Sequence, residues 1–74
     1  MAKLPSLGAN QVVNAFETLG WSAARRRGSH IILVKEGGLA TLSVPDHREV
    51  AKGTLRSLIR QAGVTIDEFL AAIS

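Results

Sequence analysis

Two glycine-bearing breaks, Arg27-Gly28 and Gly37-Gly38, divide residues 21–44 into three short runs: Trp21 to Arg25, His30 to Lys35 and Leu39 to Val44. Runs of this length joined by tight turns read as three strands connected by hairpins, and consecutive hairpins make the sheet antiparallel. Pro45 holds Val44 extended and ends the third strand. So small a sheet needs helices to cover one face. The flanking sequence supplies them. From Ala9 to Leu19, Val12, Val13, Phe16 and Leu19 recur at helical spacing, and Gly20 follows as a stop signal. After the sheet, Leu55, Leu58, Ile59 and Ala62 mark a second helix closed by Gly63. Thr65-Ile66-Asp67-Glu68 then has the capping-box pattern, with Val64 and Phe69 placed as a hydrophobic staple and Ile66, Phe69, Leu70 and Ile73 forming one stripe. The expected fold is α+β: helix, three-stranded antiparallel sheet, helix, short C-terminal helix, with the helices on one face.

The 74 residues make a single domain, residues 1–74, near the lower size limit for a self-sufficient core. With no cysteine and no Cys/His zinc spacing, extra stability must come from close packing or from a bound partner. Apolar residues reach 46% but form no run of the ~18 needed to span a bilayer, and Met1-Ala2-Lys3-Leu4-Pro5 does not read as a signal peptide. A cytoplasmic protein is expected.

Taking Gly37-Gly38 as a two-residue turn sets Leu33 opposite Leu42 and Ile31 opposite Val44, apolar pairs that belong to the helix-packed face. His30, Ile32 and Val34 then lie on the other face, against Pro45, Ser43 and Thr41. His47 falls two residues beyond the partner of His30, roughly 7 Å along an extended chain, which would make the two histidines neighbours. The first hairpin has two registers. A two-residue Arg27-Gly28 turn pairs His30 with Arg25 but leaves Trp21 on the outer face, whereas a three-residue turn buries Trp21. In both, Ile32 and Val34 make the outer face more apolar than a solvated sheet, so it is expected to be covered by another copy of the chain or by a different protein.

Nine Lys and Arg against six Asp and Glu give a net charge of +3, and the placement of the cations says more than the total. Arg25, Arg26 and Arg27 run directly into Gly28-Ser29-His30, and Arg48, Lys52 and Arg56 cluster around the start of the second helix. Two basic patches that converge would form a phosphate-binding surface. RNA suits such a surface, because its backbone is anionic and its 2′-hydroxyl attacks the adjacent phosphorus once a proton is moved. An imidazole, titrating near neutrality, can take that proton or give one to the departing 5′-oxygen. The six carboxylates are scattered, only Asp46 and Glu49 lying close together, which argues against a two-metal nuclease.

Gly20-Trp21, Arg25 through Gly28-Ser29-His30, Val44-Pro45-Asp46-His47, and Lys52-Gly53-Thr54-Leu55 running through Ile59-Arg60-Gln61-Ala62-Gly63 together resemble the HicA-type toxins of bacterial toxin-antitoxin modules. The resemblance implies a double-stranded-RNA-binding-domain-like fold and a messenger-RNA interferase that blocks translation. It implies the histidine of Gly-Ser-His, here His30, as the catalytic group. It also implies a HicB-type antitoxin that masks the active site. No cofactor is expected.

His30 is therefore the expected catalytic residue, with His47 a candidate for the complementary acid or base. Arg25, Arg26, Arg27, Ser29, Lys52 and Thr54 are expected to hold RNA phosphates, the last two at a helix N-terminus whose free N–H groups favour anions. Ile32 and Val34 are expected to face the antitoxin or a second copy. Two rival readings share the same pattern: an RNA-binding domain without catalysis, and a protein-interaction module whose site is the outer face.

Overall fold

A computed structural model describes residues 3–73. Helix α1 (Ala9–Thr18) leads into strands β1 (Trp21–Arg27), β2 (His30–Lys35) and β3 (Leu42–Pro45), followed by α2 (Lys52–Ala62) and α3 (Ile66–Ala71). The sheet is antiparallel in the order β1-β2-β3, so the middle strand is the one that carries His30. This is the α+β order expected from the sequence, with the helices packed on one face.

The core forms where the helical stripes meet the inner face of the sheet. Val12 and Phe16 of α1, Leu33 of β2, Leu42 and Val44 of β3, Leu55 of α2 and Phe69 of α3 are all buried in one cluster. The Phe16 and Phe69 rings stand 5.1 Å apart at 53°, a tilted pair of the kind worth about 0.5–1.5 kcal/mol beyond area burial. Leu4 and Leu7, ahead of α1, also enter the core, and the Leu7 carbonyl accepts from the Val50 N–H at 2.7 Å.

Local chemistry ends the helices as the sequence expects. Gly63, at φ 75°, closes α2: its N–H donates to the Arg60 carbonyl and the Val64 N–H to the Ile59 carbonyl, satisfying carbonyls the helix would otherwise leave unpaired. Thr65 caps α3 by accepting from the Glu68 N–H at 3.0 Å, while the Glu68 carboxylate accepts from the Thr65 N–H at 2.8 Å. At α1 the approach is closer. A Cβ on Gly8 would lie 2.8 Å from the Arg48 carbonyl oxygen, so glycine permits the segment after β3 to pass against the start of the helix.

The second hairpin keeps the expected register, pairing Leu33 with Leu42, Ile31 with Val44 and His30 with Pro45. Its ladder is shorter than expected. The third strand begins at Leu42 rather than Leu39, because the Gly38 N–H closes a turn on the Lys35 carbonyl at 2.9 Å, one residue earlier than a Gly37-Gly38 hairpin requires. Leu39 is left fully exposed.

The first hairpin matches neither expected turn and combines features of both registers. Its two turn residues are Gly28 and Ser29, with Arg27 paired to His30, and β1 continues to Arg27 rather than stopping at Arg25. Positive φ at Gly28 alone is the pattern of a type II′ turn, which suits the twist of a hairpin. Between Ala23 and Arg25 the register slips by one residue, a β-bulge at Ala24. On the turn side of the bulge Arg25 and Arg27 share the face of His30; on the other side Trp21, paired with Lys35, turns into the core at 5% exposure. Lys35 Nζ lies 5.8 Å from the centre of the Trp21 ring, and the buried Trp21 Nε1 has no hydrogen-bond partner among the described residues.

Candidate functional site

His30 opens β2 on the outer face of the sheet and is exposed. Its neighbours follow from register. Arg27 stands opposite on β1 and Pro45 opposite on β3, while Arg25 lies on the same face beside Ile32. Pro45 and Ile32 are themselves buried, so the imidazole and two guanidinium groups rise from an apolar floor. Ile32 retains only 7% exposure, because it sits in the middle strand between Arg25 and Ser43 and is largely covered within its own chain. The outer face is thus less apolar toward solvent than alternation alone suggests, with Val34 half-buried at its far end.

The three arginines separate. Arg26, paired with Ile31, projects to the opposite face from Arg25 and Arg27, and its Nη1 donates to Asp46 Oδ2 at 2.6 Å. Both side chains keep substantial exposure, 57% and 39%, so the ion pair contributes about 0.2–1 kcal/mol to stability. The sequence reading does not anticipate this pairing of Asp46. Its only signal is its place between Pro45 and His47, because the partner lies twenty positions away and is chosen by the turn.

The third strand does not run on as far as His47. The strand ends at Pro45, where the His47 N–H turns back to the Pro45 carbonyl at 2.8 Å, so the extended path that would align the two histidines is broken. The His47 carbonyl instead accepts from the Ala9 N–H at 3.1 Å. His47 lines an open cleft of about 370 Å³ at the start of α1, with Gly8, Gln11, Asp46 and Arg48.

Lys52 and Thr54 lie in the first turn of α2, and both are exposed. That helix start has no side-chain cap and no acidic residue in its first turn, unlike α3, whose start holds Asp67 and Glu68. An uncapped, acid-free start leaves N–H groups and the positive end of the helix dipole available to an anion. Thr54 and Ser57 share a second open cleft, of about 380 Å³, with Ser43 at the edge of β3. At the start of α3 the Thr65 backbone N–H and then its hydroxyl hold the Glu68 carboxyl below its ordinary value of 4.5. It serves the cap of α3. Among the described residues no three His, Asp or Glu side chains converge as metal ligands.

The helix, three-stranded meander and helix, with a histidine and two arginines on the open face, define a small α+β domain of the double-stranded-RNA-binding-domain type. The family described as HicA toxin of bacterial toxin-antitoxin matches residues 9–64, and this chain belongs to it. Membership makes it a toxin of a toxin-antitoxin pair and implies an antitoxin partner. The match takes in α1, the sheet and α2, and leaves α3 and the Leu4–Leu7 segment outside. A comparison with curated proteins finds no match. Among the described residues no helix is long and apolar enough to cross a membrane.

Proposed function

We propose that this toxin is a metal-independent endoribonuclease that cleaves messenger RNA in the cytoplasm and so arrests translation, as part of a type II module. The observation that carries the reading is the exposed His30 imidazole at the hairpin mouth, with Arg27 opposite and Arg25 on the same face. One face thereby offers a proton-transfer group and two cations to a phosphodiester. Cleavage proceeds by attack of the 2′-oxygen on phosphorus as the bond to the 5′-oxygen breaks, leaving a cyclic phosphate and a 5′-hydroxyl. His30 serves one of the two proton transfers, accepting from the 2′-hydroxyl or donating to the departing oxygen. His47 remains the candidate for the other, once RNA spans both positions. Arg25 and Arg27 offset the charge that grows on the phosphorane, and Ser29, Lys52 and Thr54 hold flanking phosphates. The HicB-type antitoxin covers His30 and the Ile32/Val34 side of the sheet, forming a hetero-oligomer.

His30→Ala tests this reading. The variant should lose RNA cleavage and growth arrest while binding RNA with nearly unchanged affinity. Intact RNA after incubation with the wild type, both in EDTA and with added metal ions, would instead favour a binding module without catalysis. Absence of any salt-sensitive RNA binding would favour a purely protein-binding role.

A further inference from the structure

His30 stands immediately after a two-residue turn, and a hairpin tip is freer to move than the sheet behind it. Asp46 grips that tip on both arms. Its backbone N–H donates to the Ser29 carbonyl at 2.7 Å, and its Oδ2 accepts from Arg26 Nη1 at 2.6 Å, so one residue is bonded on either side of Gly28. The grip continues away from the turn. The His47 N–H donates to the Pro45 carbonyl, and the Ala9 N–H donates to the His47 carbonyl, tying the segment to the first turn of α1. Register explains why Arg26 alone can join this chain of bonds: it faces away from His30, whereas Arg25 and Arg27 share the face of the histidine.

We propose that Arg26 and Asp46 are positioning residues that fix the Ser29-His30 peptide, and through it the imidazole, and that Arg26 holds no phosphate. This rests on the reading of His30 as the proton-transfer group. The arginine run then divides by function, with Arg25 and Arg27 serving the substrate and Arg26 serving the turn. A surface ion pair is weak as a source of stability, yet small displacements of a reacting group are costly, an ångström being worth up to about 10²-fold in rate.

The test compares Arg26→Ala, Asp46→Ala, their double variant and the exchanged pair, Arg26→Asp with Asp46→Arg, against Arg27→Ala. Single-turnover cleavage, RNA affinity across a salt titration and amide hydrogen exchange are read for each. Arg26→Ala and Asp46→Ala should each slow cleavage about tenfold, within that range, and leave RNA affinity unchanged. The double variant should be no slower than the slower single variant, and the exchanged pair should recover most of the rate. The Asp46 amide should exchange faster in Arg26→Ala than in wild type. The proposal is overturned if Arg26→Ala weakens RNA binding and flattens its salt dependence as Arg27→Ala does, with the Asp46 amide undisturbed. A wild type that cuts no RNA would defeat the ribonuclease reading by itself; the exchange rate of the Asp46 amide would still decide whether Arg26 supports the turn.

Discussion

Arg27 and His30 are cross-strand partners at the mouth of the Gly28-Ser29 turn, with their side chains on the same face of the sheet. Because only two residues separate them, their spacing is set by the hairpin itself rather than by distant packing. The two side chains thereby leave the sheet next to each other on one face.

Arg25 and Arg27 should therefore behave alike toward RNA. Replacing either with alanine removes one phosphate contact, and the slope of log affinity against log salt should become shallower by about 0.7 on single-stranded RNA. Filter binding at a series of salt concentrations measures it. Slopes identical to wild type in both variants would take these two residues out of the interface.

Deleting Ala24 removes the extra residue of the bulge and closes a regular ladder in which Trp21 still turns inward and Arg25 outward, so the fold should be kept. Tryptophan fluorescence reports on this directly, since Trp21 is the single tryptophan. Its emission should stay at the wild-type wavelength with cooperative unfolding retained, and a shift to the red would show that the bulge itself is needed to hold Trp21 in the core.

Helix α3 lies beyond the family match but not beyond the core. Phe69 is fully buried against Phe16, so Phe69→Ala should cost about 3–5 kcal/mol, most of the stability available to a domain this small. Urea denaturation checks the value. A loss below about 1 kcal/mol would make α3 an ornament rather than a core element.

The Thr65–Glu68 cap makes a pH-dependent contribution. Glu68 has a folded pKa below its unfolded value of 4.5, so its stabilisation is fully present above that value and disappears as pH falls through the lower folded one. Thr65→Ala should destabilise by about 1 kcal/mol at neutral pH. The difference from wild type should narrow in acid. Thermal unfolding of both proteins at neutral pH and well below the carboxylate range tests the sign.

Gly8→Ala forces a methyl group to within 2.8 Å of the Arg48 carbonyl, a backbone atom that has little room to move. A penalty of about 1–3 kcal/mol is expected, as for overpacking. Chemical shifts of Ala9 and His47, whose backbones are hydrogen-bonded there, should move with it.

Much of this architecture is legible in the sequence because the signals are local. Helix α2 announces itself through Leu55, Leu58 and Ile59 and its closing Gly63; α3 through the Thr65–Glu68 box. The second register is fixed by apolar pairs that allow one alignment only. What escapes reading depends on contacts the sequence does not encode nearby. Ala23 and Ala24 are small enough for either face, so nothing in them marks a bulge. Extrapolating β3 toward His47 fails because a tight turn on the Pro45 carbonyl follows the strand, and the Arg26–Asp46 pair arises only after the turn has chosen its residues. The outward facing of His30 is legible, since the apolar pairs of the second register place it on the open face.

The bulge at Ala24 also divides the sheet into two parts that can be altered separately. Between the bulge and the Gly28-Ser29 turn, the strand answers to His30; before the bulge, it answers to Trp21 and the core. Lengthening the hairpin by two residues on each arm, between the bulge and the tip, would carry the arginines and the histidine outward together on the same face without rotating Trp21 out of its pocket. Adding one residue to a single arm would not. The reach of the His30 face is thus an adjustable dimension of this domain, set in steps of two residue pairs and independent of the packing that holds it together.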